Sequence, residues 1–110
     1  MQKFSSDFPE QLICFFGHTH LPMVVGGGRV DAKFQETRSL RLERGKRYLI
    51  NVGSVGQPRD RCPLTAFGLF DSESWSLKVY RQEYNRAVEQ EKILAAGLDR
   101  RLANRLNYGV

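Results

Sequence analysis

The chain has 110 residues, 41% of them hydrophobic and 26% charged, with a formal net charge of +5. That length and balance fit one soluble globular domain, residues 1–110. No apolar run approaches the length of a membrane span, and no block of five or more Lys and Arg marks a nucleic-acid tail. Arginine outnumbers lysine 12 to 5. That excess suits phosphate-bearing ligands, and solvated surface charge is the plainer alternative. No signal-peptide pattern opens the chain, so a reducing, cytoplasmic setting without membrane association is expected.

Residues 1–11 are expected to be a lead-in, polar apart from scattered Phe4 and Phe8. Ile13-Cys14-Phe15-Phe16 follows, four apolar residues bounded by Gly17, the pattern of a strand buried on both faces. Cys14 acts there as a small hydrophobe. Met23-Val24-Val25 and Val30 to Phe34 make a hairpin about the turn Gly26-Gly27-Gly28. Gln35 to Lys46 is polar and arginine-rich, with Leu40 and Leu42 at strand spacing, and predicts a solvent-facing hairpin. Arg47 to Val52 predicts a buried strand. Cys62, after a charged loop, is expected to be a free thiol. Thr65–Asp71 and Ser76–Arg81 alternate as paired strands, with Trp75 packing at the hairpin end.

From Tyr84 the period changes. Asn85 is placed to cap a helix carrying Val88, Ile93, Leu94 and Ala95 until Gly97 stops it. Leu98, Leu102 and Leu106 repeat at i+4 in a second short helix, with Arg100, Arg101 and Arg105 outward. The layout is therefore a sheet region over 12–83 and helices over 84–108, with the helices expected to cover a sheet face.

Two stretches carry chemistry. His18 and His20 are the only histidines in the chain, and they follow a strand directly. In extended backbone, residues i and i+2 face the same side, so both rings are expected to lean into one pocket while Thr19 points away. Imidazole is the commonest protein metal ligand. The second stretch is Gly53-Ser54-Val55-Gly56-Gln57-Pro58-Arg59-Asp60, where glycines let backbone amides approach an anion. Arg59 is able to grip a phosphoryl oxygen pair bidentately, or to pair with Asp60 or Asp31 at the surface. Asn51 and Ser54 are further candidates for phosphate contact.

Phe16-Gly17-His18-Thr19-His20-Leu21-Pro22 resembles the last signature of the calcineurin-like metallophosphoesterases. Asn51-Val52-Gly53-Ser54-Val55-Gly56-Gln57-Pro58-Arg59-Asp60 resembles the loop that follows it in the bacterial and archaeal phosphodiesterase-like branch. The similarity runs from about Leu12 onward. It implies an α/β fold, half of a four-layer α/β/β/α sandwich with a mixed or antiparallel sheet: one sheet plus two C-terminal helices. It also implies hydrolysis of phosphomonoesters or phosphodiesters by a water activated between two divalent ions (Mn, Fe, Zn or Ni). His18 would bind one ion and His20 the other, and the partner would be a phosphate-ester substrate.

The chain departs from that pattern in its carboxylates. The family's Asp-x-His, Gly-Asp, Gly-Asn-His and a further histidine should precede this region, and no histidine precedes His18. Two imidazoles alone leave two hard dications with uncompensated charge. The expectation is a C-terminal half, inactive alone, that needs a missing N-terminal half or another copy of itself: a truncated gene product, an expressed fragment or one chain of a split enzyme. The alternative is a non-catalytic interaction module or a polyanion-binding module using the arginine-rich helices.

Overall fold

The computed structural model describes residues 12–32 and 34–110. The lead-in expectation for residues 1–11 lies outside the described residues. Strand β1 (Ile13–Phe15) runs parallel to β5 (Tyr48–Asn51), with Ile13 opposite Tyr48 and Phe15 opposite Ile50. On its other side β5 pairs antiparallel with β2 (Met23–Gly26), which pairs in turn with β3 (Arg29–Ala32). The sheet order is β1-β5-β2-β3. The β2–β3 reversal turns on Gly27 and Gly28, whose φ values of 57° and 79° are those of a two-residue hairpin turn that side chains disfavour.

A second sheet has the order β4-β7-β6, from β4 (Arg38–Arg41), β6 (Thr65–Asp71) and β7 (Ser76–Gln82), all antiparallel. The chain thus builds two sheets where one was expected. The difference lies in Gln35 to Lys46, which is no solvent-facing hairpin. Its strand β4 pairs with β7, and Leu40 and Leu42 are buried. Their spacing was legible, but the partner strand lies more than thirty residues away.

The core sits between the sheets. Val24, Tyr48 and Ile50 from the first sheet meet Leu40, Leu77 and Val79 from the second, with Phe34 and Leu42 completing the cluster. Phe70 and Trp75 close its end edge-to-face, ring centroids 5.1 Å apart. Cys14 and Cys62 are both free thiols, Cys62 buried.

β1 differs from its expected double burial. It pairs only with β5 among the described residues, so Ile13 and Cys14 are half-buried and Phe15 is exposed. An edge strand has one open side, and the apolar run alone does not reveal that.

The helices form as expected and pack differently. Asn85 caps α1 (Arg86–Ala95) by accepting from the Val88 amide, and Gly97 (φ 78°) ends it with Leu98 N donating to Ile93 O and Gly97 N donating to Leu94 O. Asp99 caps α2 (Arg100–Asn104), which continues into a 3₁₀ turn at Arg105–Asn107. The helices pack on each other and on that turn, and no strand packs comparably against either one among the described residues. No α1 residue is buried, and its apolar residues Val88 and Leu94 are exposed among the described residues. The helical unit is tied down at its far end instead. There Arg61 N donates to Gly109 O, and a Cβ on Gly109 would strike the Cys62 backbone at 2.5 Å. No described helix is long and apolar enough to cross a membrane.

Candidate metal centre

Because β1 and β5 are parallel, both leave the sheet at the same end, and the two chemistry-bearing loops emerge side by side. The loop after β1 carries His18 and His20, and the loop after β5 carries Ser54 to Asp60. Three contacts knit them. His20 Nδ1 lies 2.6 Å from Gln57 O. Asn51 Nδ2 donates to Thr19 Oγ1 at 3.0 Å and, at 3.4 Å, to Gly17 O.

A carbonyl only accepts, so the 2.6 Å contact places the proton of a neutral His20 ring on Nδ1 and leaves the Nε2 lone pair for an electrophile. A second hydrogen bond of this kind is what normally orients a metal-binding imidazole. His18 is exposed on the same loop. Both histidines have left-handed φ, 80° and 62°. That conformation costs a non-glycine residue about 1–2 kcal/mol. The loop is therefore not the extended segment that the alternation argument assumed.

Asn51 is fully buried. Its Nδ2 is spent on the histidine loop, and its Oδ1 accepts from Gly53 N at 2.9 Å. Gly53 itself (φ 92°) lies where a Cβ would come within 2.7 Å of Ala66 Cβ. Ser54 Oγ accepts from the Gln57 amide at 2.9 Å, closing the turn whose carbonyl holds His20.

Arg59 is exposed, and its Nε and Nη2 both donate to Gln57 Oε1. Neither proposed carboxylate partner pairs with it. Asp31 pairs with Arg29 at 2.6 Å, and both carboxylate oxygens of Asp60 accept from Arg81.

Sequence reasoning missed two residues here. Gln57 joins three of the candidates, since its carbonyl holds His20, its amide reaches Ser54, and its side chain holds Arg59. Arg81 is buried and donates to Phe34 O and Leu64 O, both at 2.8 Å, besides gripping Asp60. Arg81 sits on a strand face whose other members are Leu77 and Val79, and a charged residue in that register was the available signal.

Among the described residues, no group of three or more His, Cys, Asp or Glu comes together. The metal-binding chemistry offered here is two imidazoles on one tethered loop.

No family model matches the chain. It superposes on the crystal structure of a metallophosphoesterase from Sphaerobacter thermophilus with a TM-score of 0.85 and 32% identity, over 96% of this chain and 47% of that one. The chain has a metallophosphoesterase-like fold. It is also 34% identical over 97 residues to "Uncharacterized protein MJ0912" of Methanocaldococcus jannaschii, covering 88% of this chain and 39% of that protein. The chain therefore spans less than half the length of both relatives. The mixed α/β architecture, with two sheets and two short helices, matches the phosphoesterase neighbour, and metallophosphoesterases as a class use divalent ions.

Proposed function

We propose that this chain forms the C-terminal part of a metal-dependent phosphoesterase and supplies two imidazole ligands, His18 and His20, to a pair of divalent ions. The single observation that carries the reading is the contact of His20 Nδ1 with Gln57 O at 2.6 Å, which leaves Nε2 as the ligating nitrogen, in a fold shared with a metallophosphoesterase. The donor chemistry fits a divalent ion of manganese, iron, zinc or nickel type, all of which accept imidazole. Such ions, when bound, polarise a phosphoryl oxygen and make a water more acidic.

The rest of the proposal concerns this chain's own groups. The Gln57 carbonyl fixes the His20 ring and its tautomer. Asn51 and Ser54 hold the two loops in register, and their polar atoms are engaged within those loops. Their part is positioning. Arg59, exposed and braced by Gln57, is the group available to bind a phosphoryl oxygen pair and orient the ester. Two dications require anionic ligands, so the carboxylates come from a preceding segment of the same protein or from a second chain.

The test joins or mixes this chain with a segment carrying Asp-x-His, Gly-Asp and Gly-Asn-His motifs, then assays bis(p-nitrophenyl) phosphate with manganese. Hydrolysis stimulated by manganese and lost in both His18→Ala and His20→Ala is the expected result. No gain over background in a preparation shown to hold its metal would defeat the proposal.

A further inference from the structure

Beside the histidine loop lies a cleft of about 690 Å³ that neither histidine lines. Thr19 and Leu21, the neighbours of His20, form its near edge. Leu21, Pro22, Met23 and Ala32 give it apolar surface, and Arg59 and Arg61, both exposed, also line it. The one carboxylate on the lining, Asp60, accepts from Arg81 through both of its oxygens. With Asp60 paired to Arg81, the side-chain charge the lining offers a ligand is cationic.

We infer that this cleft is a recognition subsite for the aromatic portion of a phosphate ester, a phenyl or nucleobase-like ring, whose phosphate reaches Arg59. The inference rests on the phosphoesterase reading and deepens it by naming a substrate class. Two physical arguments choose the occupant. An apolar wall returns free energy only to a ligand with apolar surface to bury, so a polyol phosphate would leave it wet. A cavity of roughly 150 Å³ already admits benzene, and this cleft is several times larger, which leaves room for a ring and a linking group. The two lining arginines then select an anion over a neutral aromatic. Arg59 belongs both to this lining and to the loop whose Gln57 carbonyl holds His20. Gln35 Nε2 donates to Asp60 O at 3.0 Å, which pins the far end of the same loop across the cleft.

The 110-residue chain is titrated by NMR with phenyl phosphate, glycerol phosphate and inorganic phosphate, without metal. Phenyl phosphate should shift the methyl signals of Leu21, Met23 and Ala32, and should bind about tenfold tighter than glycerol phosphate. Ala32→Phe, which fills the cleft from an exposed strand position, should erase that preference while inorganic phosphate binding stays unchanged. Arg59→Ala should weaken all three ligands. Equal affinity for phenyl and glycerol phosphate, or shifts confined to other surfaces, would overturn the subsite. The manganese-stimulated hydrolysis of the completed assembly, lost in His18→Ala and His20→Ala, reads the metal proposal separately, so either idea fails without the other.

Discussion

The smallest features of this chain with functional weight are single hydrogen bonds. Asn51 is a buried amide that joins the loop after β1 to the loop after β5. Asn51→Ala strands the Gly53 amide and cuts the tie to the Thr19 hydroxyl, and should cost about 1–3 kcal/mol in urea unfolding. In the assembly completed with the carboxylate-bearing segment, the same variant should weaken manganese binding, although Asn51 is not placed as a ligand. Arg81 poses the sharper case, since a buried guanidinium and a buried carboxylate each need the other. Removing one partner leaves the second charge uncompensated, so Arg81→Met should cost about 3–5 kcal/mol. Adding Asp60→Asn to Arg81→Met should recover part of that loss, which a double-mutant cycle will read directly. Of the proposed site residues, His18 and His20 stood out in the sequence because no other histidine exists in the chain. Gln57 did not, because it acts mainly through a backbone carbonyl, which any residue carries.

At the level of elements, the local signals were strong where the chemistry is local. Asn85 and Gly97 bracket α1 as their side chains require, and the Gly27-Gly28 turn closes the β2–β3 hairpin. Asp99 begins α2 and carries a pH prediction. The hydrogen bond from the Arg101 side chain, and then that from its amide, hold the Asp99 carboxyl below its ordinary value of 3.8. A folded value below the unfolded one means the contribution is present above the unfolded value and is lost as pH falls through the folded one. The α2 amides should therefore lose order below about pH 4, and Asp99→Asn should remove that dependence in an NMR titration. Asp71 at the β6–β7 turn is also held below its ordinary value, by the Ser74 and Glu73 amides, so a site-resolved probe is needed.

For the molecule as a whole, stability is unevenly distributed. The core between the sheets is closed, with Ile50, Val24 and Val79 fully buried. The helices hold to each other, and no α1 residue is fully buried. Amides of α1 should therefore exchange through local opening that is insensitive to low urea, while those of Ile50 and Val79 exchange only on global unfolding. Similar protection in both places would contradict this division. Among the described residues the helices do not cover a sheet face as expected, since periodicity reports a helix and not what its apolar side will meet.

Taken alone, the sequence determined the strand and helix inventory, the turns and caps, and the two stretches with chemistry, because each depends on residues within a few positions of one another. The tertiary structure decided which strands pair and where the motifs meet. Parallel pairing of β1 with β5 sends both loops out at one end and brings His20 to Gln57 across 37 positions of sequence. Pairing of β4 with β7 made a second sheet and a two-sided core. Those outcomes rest on contacts between distant segments, whose loop-closure cost and burial no local pattern encodes.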